Sequence, residues 1–286
     1  PGSVAETYRY TVDAIARRGH DLACHGYMHE SRRGIAREEE VSILEKSESI
    51  LKGICGRRPV GHRGPESIIH PFTPELLAER GYLYSSSMKD CDWAYLWEKD
   101  GNPLPLVELP CDITMDDFTY YYFTFSDPAV RSMYTNREVY GNWKQEFGGL
   151  ALEGNKIFIL KLHPQMIGRP SRIGMVASSS PICSPRAPGL PPARRWPDTC
   201  SHRHTAGRRQ EMMKWPDNKR IAVMMAFDLD AETMWTTRGD GNADHITNLS
   251  RGVYGPKQGV PRILDMLDVH QIKATSFVPG VIAEQY

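Results

Sequence analysis

Four short polar clusters in the 286-residue sequence carry side chains suited to acid–base or metal chemistry. Asp228-Leu229-Asp230 ends an apolar run, Ile221–Phe227, that reads as a strand covered on both faces. Carboxylates leaving the C-terminal end of such a strand stand where α/β folds carry their sites. Alternation along extended chain points Asp228 and Asp230 to the same side. Like charges so close raise one pKa unless a cation or base separates their roles. The plainer reading is a solvated turn, which the buried character of the preceding run disfavours.

His25-Gly26-Tyr27-Met28-His29 directly follows a short extended piece, Asp21–Cys24. Two imidazoles four residues apart meet one metal ion if the loop coils there. A carboxylate as third ligand would give a His-His-Asp site with positions open to water; surface histidine pairs also arise by chance. In His62-Arg63-Gly64-Pro65-Glu66, Arg63 can hold a carboxylate in a bidentate pair, or simply occupy a surface turn. In Leu160-Lys161-Leu162-His163-Pro164, His163 closes another strand, where it can serve as a general acid or merely cap a loop. The aromatic run Phe118–Phe125, with Tyr120, Tyr121 and Tyr122, can stack on a sugar ring, although such runs more often pack the core.

The elements that must position these residues follow from periodicity. Val4, Tyr8, Val12 and Ile15 recur at helical spacing, as do Val41, Leu44, Leu51 and Ile54, and Val260, Ile263, Leu264 and Leu267. Thr73-Pro74-Glu75 reads as a cap and a first-turn proline opening a helix that stops at Gly81. Asn136–Leu150 reads as a helix. Strands are expected at Val107–Leu109, Ile157–Leu160, Ile221–Phe227 and Ala274–Val278. Strands alternating with helices imply a mainly parallel sheet or barrel. Residues 176–212, rich in Pro, Ser and Arg and without periodicity, read as an irregular linker.

Composition narrows the function classes. Lys+Arg and Asp+Glu number 35 each, so no basic excess marks a nucleic-acid binder. No apolar run reaches the roughly 20 residues of a membrane span, and residues 1–15 lack a signal-peptide pattern. The six cysteines (Cys24, Cys55, Cys91, Cys111, Cys183 and Cys200) form no CxxC pair, so reduced thiols and a cytoplasmic location are expected.

Together, the four clusters resemble the polysaccharide deacetylases (NodB-homology, carbohydrate esterase family 4). In that family the aspartate strand comes first, and the HxxxH, RxP and LxLH segments follow. Here the later segments come first. Joining Tyr286 to Pro1 would run IKATSFVPGVIAEQY into PGSVAETYRYTVDAIARRGHDLACHGYMHE, an uninterrupted stretch of the family's pattern. The resemblance therefore implies a circularly permuted, distorted (β/α) barrel forming one structural domain. Residues 1–175 would supply its C-terminal part, 176–212 the linker and 213–286 its N-terminal part.

The resemblance also implies roles. Asp228 matches the catalytic base, Arg63 the residue that orients it, and His163 the general acid. Asp230, His25 and His29 match the ligands of a divalent metal, zinc in this reading. The implied activity is hydrolysis of a non-peptide C–N bond, most simply N-deacetylation of an amino sugar or peptidoglycan-type substrate. Leu229 between the carboxylates and Gly26 after His25 resemble the intracellular branch, which includes peptidoglycan deacetylases, cyclic imide hydrolases and PuuE-type allantoinases. Ring opening of a cyclic imide or ureide is therefore the alternative, and a non-catalytic permuted fold a third reading. The implied partners are a small-molecule or glycan substrate and further copies of the chain in a homo-oligomer, with no nucleic acid and no membrane. Ser276 stands where the family usually has an aromatic, and the family's final helix is expected to be missing after Arg172.

Overall fold

The computed structural model describes residues 7–30, 34–123, 133–178, 215, 219–236 and 246–278. Its eight strands are β1 (Asp21–Cys24), β2 (Gly61–His62), β3 (Tyr84–Ser85), β4 (Tyr95–Lys99), β5 (Asn102–Glu108), β6 (Lys156–Leu162), β7 (Ile221–Asp228) and β8 (Thr275–Val278). They form one sheet in the order β4-β5-β3-β2-β1-β8-β7-β6. Every neighbouring pair is parallel except β4 with β5. The sheet curls into a half-barrel flanked by helices, the distorted (β/α) barrel expected from the sequence.

All eight residues of β7 are buried. A central parallel strand has no solvent face, which is why its sequence is continuously apolar. β6 pairs with it in unbroken register from Lys156↔Ile221 to Leu162↔Phe227. Alternation sorts both strands. Phe158, Leu160 and Leu162, with Val223, Met225 and Phe227, pack outward under the helices. Ile157, Ile159, Ala222, Met224 and Ala226 pack on the concave side with Ala23 of β1 and Phe277 of β8. Continuing that inward parity past the last apolar residues carries Lys161, His163, Asp228 and Asp230 to the concave side, and Ala23 hands over to His25 in the same way.

The helices follow their apolar faces. Arg9–Arg17 buries Val12 and Ile15, Arg37–Cys55 buries Leu44 and Leu51, and Val260–His270 buries Val260, Ile263, Leu264 and Leu267. Asn136–Glu153 runs three residues beyond the expected end and opens on a capping box between Thr135 and Glu138. No helix among the described residues is long and apolar enough to cross a membrane.

Several expectations need correction. Thr73 makes no cap. Its hydroxyl donates to Glu40 Oε2 (2.9 Å) and accepts from His70 N, so the hydroxyl read as a cap ties this helix to its neighbour instead. The strand placed at Val107–Leu109 starts earlier, at Asn102, because its first half pairs with β4. A helix does follow Arg169: Pro170–Ala177 buries Val176 against the outer core, so the apolar periodicity outruns the expected linker boundary at 176. Val4 and residues 179–212 of the expected linker lie outside the described residues. Among the described residues, Cys24, Cys55, Cys91 and Cys111 form no disulfide.

Candidate functional site

The C-terminal ends of β1, β6 and β7 and the turn after β2 open on one cleft of about 230 Å³. His25, His29, Asp228, Asp230 and His163 line it together with Lys161, Cys111 and Phe118. Five of the six residues singled out in the sequence thus share this cleft, and the sixth, Arg63, lies directly behind Asp228.

The loop after β1 coils as a shared ligand set requires. Gly26 adopts φ +70° and His29 φ +58°, and the left-handed turn at a non-glycine residue is a local strain held by its surroundings. Those surroundings are visible. Ser47 donates its hydroxyl proton to Gly26 O (2.9 Å), and the backbone N–H groups of Tyr27 and Met28 donate to the Glu30 carboxylate. The two imidazoles meet edge to face, with ring centroids 5.2 Å apart.

His25 Nδ1 lies 2.7 Å from Arg63 O. A carbonyl only accepts, so Nδ1 carries the proton and the Nε2 lone pair is left facing the cleft. Nε2 of His25 is 3.5 Å from Asp230 Oδ1, and Nε2 of His29 is 4.0 Å from the same oxygen. Burial pushes the pKa of His25 well down, helped by the neighbouring His29. Burial also lowers that of His29, against the pull of Asp230. Both rings are therefore neutral donors at pH 7. Asp230 Oδ1 is buried and accepts no hydrogen bond among the described residues. An orphaned carboxylate oxygen costs a few kcal/mol unless a cation meets it. One ligand atom from each of His25, His29 and Asp230 fits within 4.8 Å, so the three can hold a metal ion. Two imidazole nitrogens and one carboxylate oxygen suit a divalent transition ion.

Asp228 belongs to a different network. Arg63 is fully buried and sets Nη1 2.7 Å from Asp228 Oδ1. Its remaining donors are aimed elsewhere, Nε to Ser86 O (2.9 Å) and Nη2 to Ser86 Oγ (2.8 Å). The pair is thus a one-point contact rather than the bidentate fork expected. The Ser86 backbone and hydroxyl occupy the other side of the guanidinium. The ring of Phe277 covers it at 4.1 Å. Burial works to raise the pKa of Asp228, but the charges of Arg63, Lys161 and His163 outweigh it and hold the carboxyl below its ordinary range.

His163 faces the same space from β6, with Nε2 3.6 Å from Asp230 Oδ2. Its Nδ1 donates to Asp117 Oδ1 at 2.7 Å, and its backbone N–H also points at the Asp117 carboxylate. Burial opposes the imidazolium, but Asp116 and Asp117 overcome it and raise the pKa to about 9. Burial raises Asp117 to about 6, against the pull of His163. Asp116 meets Lys161 Nζ at 2.7 Å. Asp116, Asp117 and His163 also sit at metal-ligand separations, yet Asp116 is already paired with Lys161 and Asp117 with His163 Nδ1.

Sequence reasoning missed Asp116, Asp117, Ser86 and Lys161. The signals were present but faint. Asp116-Asp117 sits just ahead of the aromatic run at Phe118, and Lys161 shares the inward parity of His163. The aromatic run itself divides. Tyr120, Tyr121 and Tyr122 are buried in the outer core, and only Phe118 reaches the cleft, 4.9 Å from the His163 ring. Phe125 lies outside the described residues.

The polysaccharide deacetylase family model matches residues 2–85. The chain is 26% identical over 205 residues to a peptidoglycan deacetylase-like protein of Gibberella zeae, an alignment covering 62% of this chain and 61% of that protein. It is 25% identical over 193 residues to a peptidoglycan deacetylase of Helicobacter pylori, covering 59% of this chain and 66% of that one. The chain thus spans a little under two thirds of the curated relatives it matches. Among solved structures, one from Mycobacterium smegmatis named as a polysaccharide deacetylase superposes with a TM-score of 0.65 at 28% identity, over 73% of this chain and 74% of that one. The PuuE allantoinase structure superposes at 0.51 and 24% identity, over 60% of this chain and 55% of that one, a likeness of fold alone. Residues 2–85 thus match the polysaccharide deacetylase domain, and the curled parallel sheet matches the fold of the Mycobacterium smegmatis structure.

Proposed function

We propose that the chain hydrolyses a non-peptide C–N bond, as an N-deacetylase of an amino-sugar or peptidoglycan-type substrate, with a divalent metal as cofactor. The observation that carries this reading is the orphaned Oδ1 of Asp230, buried between two neutral imidazoles whose Nε2 atoms face it. His25, His29 and Asp230 would hold the ion, zinc in this reading. The chemistry such an ion supplies when bound is polarisation of the amide carbonyl and a lowered pKa for the attacking water.

The chain's own residues account for the proton movements. Asp228 stays ionised at neutral pH, so one carboxylate oxygen can take a proton from water while Arg63 fixes the other. His163 stays protonated through Asp116 and Asp117, so its Nε2–H can be given to the departing nitrogen. Asp117 orients that ring and sets its tautomer. Phe118 walls the cleft beside His163 and limits water there. The ring-opening alternative uses the same groups. A cleft of about 230 Å³ is small beside the roughly 300–1,000 Å³ of typical ligand pockets, which favours a single ring in either reading.

We also infer that the motif order is rotated relative to the family. β8 pairs in register with β1, from Asp21↔Thr275 to Cys24↔Val278, and β7 lies between β8 and β6, which supports this order. Acetate release from chito-oligosaccharides and peptidoglycan fragments, with imide hydrolysis in parallel, tests the activity. Imide turnover without acetate release moves the assignment to the ring opener. No turnover of either by metal-loaded protein leaves the non-catalytic fold.

A further inference from the structure

Beside the short helix Asp117–Tyr121, three arginines stand on neighbouring aromatic rings. Arg169 precedes the helix Pro170–Ala177, Arg172 lies in its first turn, and Arg262 comes from Val260–His270. None of the three has a carboxylate within 4.0 Å among the described residues.

Each guanidinium is seated on something rigid. The Arg169 guanidinium carbon lies 3.5 Å from the centroid of the Tyr254 ring, and that of Arg262 lies 5.8 Å from the same centroid. Arg262 also donates to the Tyr254 hydroxyl and to Gly168 O. Arg172 stacks on Tyr121 at 3.9 Å and donates to Met166 O. Arg169 has no hydrogen-bond acceptor among the described residues. Burial depresses Arg172, and the charges of Arg169 and Arg251 add to this against the pull of Tyr121 and Asp117.

Gathering like charges in partly buried positions is unfavourable unless a ligand compensates. Planar guanidiniums with unused N–H donors match the paired oxygens of phosphate or carboxylate, and stacking on rings removes the entropy of orienting them. We propose that Arg169, Arg172 and Arg262, set on Tyr254 and Tyr121, form a binding site for a small oxyanion, a phosphate or a carboxylate group, separate from the His25–His29–Asp230 cluster. The site stands apart from the hydrolase reading.

The test is isothermal titration of the full chain at low ionic strength, with inorganic phosphate in one arm and malonate in the other. One saturable site is expected, weakened about tenfold or more in Arg169→Gln and in Arg172→Gln, the order of one charge-assisted pair. Arg9→Gln, whose exposed guanidinium donates to Gly53 O instead, should leave it unchanged. Tighter phosphate binding assigns a phosphate-bearing ligand, and tighter malonate binding a carboxylate. Absence of saturable binding overturns the proposal, as does binding indifferent to Arg169→Gln and Arg172→Gln or abolished only by His25→Ala. If Arg172→Gln does not fold, exposed Arg169 still carries the test, because its replacement removes no hydrogen bond.

Discussion

Replacing Arg63 probes the central geometry without any assay of activity. Arg63 is 0% exposed and Asp228 is 2% exposed, with Nη1 and Oδ1 2.7 Å apart. At an effective dielectric near 20, that separation corresponds to an attraction of about 6 kcal/mol, most of it offset by the desolvation of both ions. Removing one partner is costlier than removing both, because the survivor is left charged and buried. Arg63→Met should therefore cost about 3–5 kcal/mol. Loss of the donors to Ser86 O and Ser86 Oγ contributes about 1 kcal/mol of that. Arg63→Met combined with Asp228→Asn should cost less than the two single changes added, with a coupling of about 2–3 kcal/mol. Urea unfolding of the four chelator-treated proteins at pH 7 measures the cycle. Additivity within about 0.5 kcal/mol would refute the argument, since it would mean that the two side chains do not depend on each other in the folded state.

Two further outcomes follow from the same reasoning. His20 is 2% exposed and accepts the Ala274 N–H at Nδ1, and burial, with Lys273, lowers its pKa to about 4. The unfolded ring binds a proton below about 6.5 and the native ring does not. Stability should therefore fall as pH drops from about 6.5 to 4, by about 1–2 kcal/mol after solvent screening, and urea titrations of His20→Gln should lack that slope. Asp117→Asn keeps the shape beside His163 but removes the charge that holds it protonated. It should lower kcat by about 10²–10⁴ with little change in KM, and an unaltered kcat in steady-state acetate-release assays would count against His163 as the acid.

How far the sequence revealed the site depended on the length scale of each signal. Asp228, Asp230, His25 and His163 were legible because each extends the inward parity of an apolar strand, and alternation is a local property. The ends of elements were harder to read. Thr73 looked like a cap, yet its hydroxyl bonds Glu40, a contact across 33 residues. Asp117 pairs with His163 across 46 residues, and Ser86 with Arg63 across 23, separations that no local pattern encodes. The helix Pro170–Ala177 was overlooked because its one buried apolar residue, Val176, sits at the edge of a Pro- and Ser-rich stretch. The bidentate geometry expected of Arg63 failed for the same reason, since only the folded chain brings Ser86 to the other side of the guanidinium.

Metal content tests the account most directly. The purified parent, Asp230→Ala and His29→Ala should each be exposed to zinc, desalted and measured by atomic emission alongside their circular dichroism. About one divalent ion per chain in the parent, lost in both variants while their folds persist, is the predicted result. A parent that retains no ion after loading, or variants that retain it undiminished, would contradict the assignment of His25, His29 and Asp230 as a shared ligand set.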